Sequence, residues 1–277
     1  MKKLLQLAFV VVLCAGGFAQ VSTSHAIPSV EEIVARVQRN VQEFRASLPD
    51  FLCDERITSQ VIVDGKIKQD TRVQSIFRAI HNQGANDYAE SRQIETVNGK
   101  RAKTQELNLP FGVMGGFSKA TAVLFSPQSI QCFDFRVIGT DTVRGRTAFV
   151  LTATTKANVE SLGPACASHK PNRTTRVWID AEAMQVVRIE SATVHSNESQ
   201  AAFIDIPWPE DLLLNWTANY DKVTIEGKTF WMPMTVQAEL ASSTKPRKMT
   251  YFAEYGDYHK FGTKSRVLPV PENARAK

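Results

Sequence analysis

The sequence predicts an α+β fold that is mostly β, with one antiparallel sheet packed on an N-terminal helix and a short internal helix. Three observations predict it. One amphipathic stripe opens the body of the chain, alternating apolar and polar runs come after it, and tight-turn residues separate those runs at short, regular intervals. Local turns between short strands point to a meander, because parallel strands would need crossover helices between them.

The helix comes first. "PSVEEIVARVQRNVQEFRASL" sets Val30, Ile33, Val34, Val37, Val41, Phe44 and Leu48 at spacings of three and four, which places them on one stripe. Ser29 followed by Glu32 is a capping box, Pro28 stands just ahead, and Pro49 stops the pattern. A helix with one apolar side must bury it, and the strands after Pro49 are the surface it is expected to cover.

After "LPDFLC" the period changes. "RITSQVIVDGKIKQDTRVQSIFRAI" alternates, and Asp64-Gly65 marks a hairpin because both turn positions need positive φ. Asn98-Gly99, Gly145 and Gly227 repeat the signal, each between β-branched or aromatic residues. "MGGFSKATAVLFSPQS" interrupts the strands: Phe117, Ala120, Val123 and Leu124 have helical spacing between Gly116 and Pro127, which predicts a short helix or lid. "KANVESLGPACASHKPNRT" reads as a long loop. "SQAAFIDIPWPEDLLLNW" reads as a second irregular segment, unusually apolar for a connection, with Ile204, Ile206, Trp208, Leu212, Leu213, Leu214 and Trp216. "GTKSRVLPVPENARAK" reads as a mobile tail. The expected division is therefore a leader over 1–19, one domain over 28–262 and a tail over 263–277.

The leader is read from "MKKLLQLAFVVVLCAGGFAQ": Lys2 and Lys3, an apolar run from Leu4 to about Ala15, then Gly17 and Ala19 at the spacing signal peptidase accepts. Ser24 and Ala26 offer a later cut. The apolar run is shorter than the ~20 residues of a bilayer span and contains Gln6. Leu13 stands where a lipobox before Cys14 wants a small residue, which argues against a lipid anchor. The chain is thus expected to be exported, to the periplasm or cell envelope. Removing the two lysines lowers the formal charge from +5 to +3, with no run of like charge, so nucleic acid is not an expected partner. Cys53, Cys132 and Cys166 remain, and in an oxidising compartment three cysteines imply one disulfide and one thiol. The sequence leaves the pairing open.

"RVWIDAEAMQVVRIE" carries Asp180, Glu182 and Glu190 and raises the question of paired catalytic carboxylates. Strand alternation puts Val177 and Ile179 on one face and Arg176, Trp178 and Asp180 on the other, with Asp180 opening a turn. In the return strand Val187 and Ile189 are expected on one face, Arg188 and Glu190 on the other. Carboxylates spread along a hairpin do not meet across a cleft, so they read as turn and surface residues. Cys166 and His169 form a C-x-x-H pair without a second pair, so no metal site is expected. No G-x-S-x-G, Walker, dinucleotide or H-E-x-x-H pattern occurs, and no cofactor is expected. A hydrolase assembled from distant Asp, His and Ser stays open as a lesser reading. The tryptophans and phenylalanines fit a core equally well as a lined apolar hollow.

In order, "SLPDFLC", "VRGRTAFVLTATT", "TRVWIDAEAMQVVRIE", "IDIPWP", "YDKVTIEGKTFWMPMTVQAEL" and "FAEYGDYHKF" resemble exported bacterial proteins common in acidobacteria, which look like distant relatives of the LolA, LolB and RseB group. The resemblance implies a half-barrel: one long antiparallel sheet curled around helices, with an apolar concavity that in LolA-like proteins receives acyl chains. It implies a non-enzymatic carrier, or an RseB-like sensor that binds a membrane-proximal protein. Similar proteins pair the cysteine of the "LP-x-F-x-C" segment with one near the C-terminal region, which this chain lacks; by resemblance Cys53 then pairs with Cys132 or Cys166. Taken together, an apolar ligand or lipidated protein is the expected partner. "MGGFSKATAVLF" and "IDIPWPEDLLLNW" are the expected mouth, with Phe117, Leu124, Phe125, Trp208 and Trp216 as contacts.

Overall fold

The computed structural model describes residues 28–82, 88–112, 120–166, 169, 171, 173–195 and 212–262. The expected leader, the tail, Phe117 and Trp208 lie outside the described residues. The order of elements is α1 (Val30–Ser47), β1 (Phe51–Val63), β2 (Lys66–His81), β3 (Tyr88–Val97), β4 (Lys100–Arg101), α2 (Ala120–Phe125), β5 (Phe133–Val143), β6 (Arg146–Thr155), β7 (Thr174–Asp180), β8 (Val186–His195), β9 (Leu212–Ile225), β10 (Lys228–Ser242) and β11 (Arg247–Lys260).

The capping box of α1 is formed: the Glu32 N–H donates to Ser29 Oγ at 3.2 Å, and the Ser29 N–H donates to Glu32 Oε2 at 2.9 Å. The stripe is buried through Ile33, Val37 and Val41. Four tight connections share one backbone, with left-handed φ at both residues: Asp64-Gly65 (51° and 71°), Asn98-Gly99 (51° and 74°), Arg144-Gly145 (50° and 77°) and Glu226-Gly227 (49° and 78°). This is the turn whose twist matches that of the flanking strands, so each hairpin closes with two residues.

All eleven strands form one antiparallel sheet in the order β4-β3-β2-β1-β11-β10-β9-β8-β7-β6-β5. It is open, as expected of a half-barrel. Every neighbour in it is also a neighbour in sequence except β1 and β11, whose pairing from Phe51↔Lys260 to Val63↔Arg247 joins the two ends of the domain. Under α1 the inner face carries two cores. The first gathers Phe51, Cys53, Ile57, Phe77, Tyr251 and Tyr255, and the second Ile33, Val37, Leu151, Val177, Ile179 and Ile189. A smaller outer cluster is built on Trp178, Val187, Ala148 and Val150.

Three expectations need correction. The disulfide joins Cys132 to Cys166, and Cys53 is a buried free thiol. Cys53 belongs to the first core and the other two to the second, so the sheet keeps them apart. Val187 and Ile189 lie on opposite faces, because a bulge between Trp178 and Ile179 in the β7–β8 register breaks the alternation. Leu212, Leu213, Leu214 and Trp216 are not irregular but form the start of β9.

Candidate functional site

Pro233 sits in β10, an interior strand of the sheet, where proline is normally excluded because it cannot donate to a ladder. The sheet accommodates it by dividing. Thr235–Ala241 pairs with β11 at Lys248–Glu254, but Lys228–Pro233 pairs only with β9, while Tyr255–Lys260 pairs only with β1. Register shifts at Pro233/Thr235 and at Leu52/Asp54, and a left-handed Asp257 (φ 54°), lie where the strands part. Two side chains span the gap: the Tyr258 hydroxyl donates to the Pro233 carbonyl, and Lys260 Nζ donates to Glu226 Oε2 at 2.8 Å. Phe230 and Met232 on one side of the gap and Tyr255 and Tyr258 on the other all belong to the first core, and the seam between the two cores is marked by Trp216 and Val236, which touch both.

On the inner side of this seam a crevice of about 20 Å³ lies between α1 and the sheet, lined by Val41, Phe44, Thr121, Val186, Tyr220 and Pro233. That volume holds about one water molecule, and among the described residues side chains of α1, α2 and the 102–111 segment pack on the inner face. The polar lining of the crevice is Thr121, Gln185 and Tyr220, of which Tyr220 is the most deeply buried. Tyr220 is 3% exposed, and its hydroxyl has no hydrogen-bond partner among the described residues. Burial pushes its phenol well above the ordinary range. A buried hydroxyl without a partner costs about 1–3 kcal/mol, and the Tyr251 hydroxyl in the first core is in the same position. Trp216 and Val236, both half-buried, touch the two cores at the same seam.

The structure places Leu124 and Phe125 inside the second core, where Phe125 stacks on Phe135 with ring centroids 5.5 Å apart. Of the expected contacts within the described residues, only Trp216 reaches the seam. Tyr220 was missed, although Pro233 beside it carries a local signal: a proline inside the strand-like run "FWMPMTV" marks a bulge in a paired strand.

On the outer side the strands part over a groove of about 370 Å³, lined by Asp54, Arg56, Met234, Thr235, Gly256 and Asp257.

The charged groups first suspected of chemistry are engaged elsewhere. Asp180 accepts from the Glu182 and Ala183 N–H groups at 3.1 and 2.8 Å and pairs with Arg146 Nε at 3.1 Å, so it holds the β7–β8 turn. Asn40 of α1 donates to the carbonyls of Ala183 and Met184 in that turn, at 3.0 and 2.7 Å. Glu190 pairs with Arg188. In the first core Arg92 Nε donates to both oxygens of Glu55 at 3.0 and 2.8 Å, the Ser75 hydroxyl donates to Oε2 at 2.7 Å, and the guanidinium lies 5.0 Å from the Phe77 ring centre. This carboxylate is buried and fully engaged, a poor base for any substrate. The disulfide takes Cys166 out of the C-x-x-H pair, and the His169 ring packs against Phe133, 4.9 Å between centres. Among the described residues no group of three His, Cys, Asp or Glu side chains is placed to hold a metal ion. No described helix is long and apolar enough to cross a membrane.

No family model matches the chain, and no curated protein matches its sequence. Among solved structures it is similar to a putative outer membrane lipoprotein-sorting protein domain from Vibrio parahaemolyticus, at 11% identity and a TM-score of 0.42, covering 84% of this chain and 95% of that one. It is similar to a DUF1329 family protein from Desulfovibrio piger at 10% identity and a TM-score of 0.41, covering 85% and 95%. A LolA superfamily protein from Nitrosomonas europaea gives 12% identity and a TM-score of 0.36 over 85% and 95%.

Proposed function

We propose that the protein is a non-catalytic binding protein of the cell envelope, which takes an apolar chain, such as an acyl chain of a lipid or lipoprotein, against the seam beneath α1. The observation that carries this reading is the crevice itself: Val41, Phe44, Val186, Trp231 and Pro233 give it a mainly apolar wall beside Thr121 and Gln185, and in it lies a buried Tyr220 hydroxyl without a partner among the described residues. The crevice is too small to hold a chain as it stands, so binding lifts α1. Lifting α1 exposes its buried stripe, Ile33, Val37 and Val41, and burial of a chain at about 0.8 kcal/mol per methylene acts against that cost. Trp216 and Val236, at the junction of the cores, would supply the floor.

Native mass spectrometry of protein purified from a bacterial envelope tests the reading, followed by titration with a fluorescent fatty acid. A copurifying lipid and saturable uptake are expected, with uptake weakened about five- to tenfold in Tyr220→Phe while stability holds or rises. Absence of both lipid and uptake sinks it. A second reading, a sensor that binds another protein, is favoured by the outer groove on the other side of the seam. Gly256→Arg would fill that groove, since a Cβ at Gly256 meets nothing within 4 Å. If that variant loses a protein partner and keeps fatty-acid uptake, the second reading stands beside the first.

A further inference from the structure

The two edges of the sheet are finished differently. At the β3 edge the chain covers its own backbone: β4 pairs at Thr96↔Arg101 and Val97↔Lys100, and the Ala102 N–H donates to the Glu95 carbonyl at 2.8 Å. Beyond β4 the Gln105 side chain stands in for a strand. Its Oε1 accepts from the Ile94 N–H at 2.8 Å and its Nε2 donates to the Ile94 carbonyl at 3.2 Å, the two bonds a neighbouring peptide would make. At the β5 edge the Phe133 N–H donates to the Ile130 carbonyl and the Thr142 N–H to Asp141 Oδ1, and between them no described residue pairs with the outward backbone groups. An uncovered edge of this length is a template for another strand.

The side chains of β5 say which strand. Phe133, Phe135 and Val137 belong to the second core, whereas Asp134 and Arg136 alternate with them, are exposed on the outer face, and form no ion pair among the described residues. We propose that β5 pairs antiparallel with β5 of a second copy of this chain, in the register centred on Phe135. That register sets Asp134 of each copy opposite Arg136 of the other, giving two complementary pairs about the two-fold axis. Charge selects it, because moving the centre to Arg136 or to Asp134 opposes like charges, which is unfavourable. The bulge between Val137 and Gly139 ends the regular run, so the paired stretch is Phe133–Val137. Apolar surface flanks it: Val123, 40% exposed, rides on α2, whose Phe125 stacks on Phe135, and Ile138, 54% exposed, lies just past Val137. Such a dimer joins two sheets edge to edge and removes the open edge of each.

Sedimentation equilibrium of the full chain, over a dilution series up to about 100 μM, tests it in the range where a small interface associates. A dimer is expected for the wild type. Arg136→Asp and Asp134→Arg each place two like-charge pairs in the interface and weaken association about tenfold or more. The double exchange, with both substitutions, restores it. Ile67→Lys changes an equally exposed apolar residue, 56% exposed in β2 beside the β1–β2 turn, and leaves the dimer intact. Both β5 charges are on the surface, so the variants fold. A wild-type monomer across the whole series, or a dimer indifferent to Arg136→Asp, overturns the proposal.

Discussion

The two cores beneath α1 are held by different means. The first, on β1, β2, β3, β11, β10 and the two ends of β9, buries a charge pair, Glu55–Arg92, together with a free thiol and tyrosines. The second, between β5 and β9, is almost wholly apolar and is tied by the Cys132–Cys166 bridge. A buried ion pair holds only while both partners are present, since either charge left alone in an apolar interior is costly. A covalent tie removes disorder from the unfolded chain and asks little of its surroundings. One side of the molecule thus depends on polar complementarity and the other on chain constraint, and two interiors of unlike character meet at Trp216 and Val236.

The most damaging change breaks the first core. Arg92→Leu leaves Glu55 buried without its counter-charge and should cost about 3–5 kcal/mol in urea unfolding, with most of it recovered in the Glu55→Leu/Arg92→Leu double variant. A loss below about 1 kcal/mol for the single variant would show that water reaches Glu55 and that the two cores are not so different. Next, Cys132→Ser with Cys166→Ser should cost about 2–4 kcal/mol, and hydrogen exchange should speed up in β5 and β6 before β2 and β3. Uniform acceleration would mean that the cores unfold as one unit.

Tyr220→Phe addresses the seam. Removing a buried hydroxyl with no partner should leave stability unchanged or raise it by about 1 kcal/mol in the same urea experiment, and a clear loss would show that the hydroxyl is satisfied. The mildest change concerns pH on the outer face of the second half. Burial acts to raise the Asp221 carboxyl, but a bond from the Lys222 N–H and the guanidiniums of Arg144 and Arg146 outweigh it and hold the pKa below its ordinary value of 3.8. A lowered carboxylate pKa adds stability that is fully present above the unfolded value and is lost as pH falls through the lowered folded one. Asp221→Asn should therefore flatten the fall in stability below about pH 4, measured by tryptophan fluorescence, and leave the neutral range little changed.

Much of the architecture was legible because it is written locally. Ser29 and Glu32 are three residues apart, and each hairpin turn needs only its own two residues to be left-handed. The role of Asp180 is just as local, since its carboxylate accepts from the N–H groups of Glu182 and Ala183, two and three residues ahead. The site was less legible. Leu124 and Phe125 are apolar enough for a ligand wall, but they pack into the second core, because composition does not say which apolar side chains meet each other. Val187 faces the side opposite to the one that alternation predicts, because a bulge shifts the face of a strand without leaving any mark in the alternation itself.

The helix with its cap, the two-residue turns, the antiparallel character of the strands and the three cysteines beyond the expected leader could all be read from the chain alone, since each depends on neighbours a few residues away. That β11 closes onto β1, that Cys132 pairs with Cys166, that the sheet parts at Pro233 and that Tyr220 lines a crevice beneath α1 became visible only in three dimensions. Those outcomes join residues from distant parts of the chain, and their partners are selected by packing and register, which no local pattern encodes.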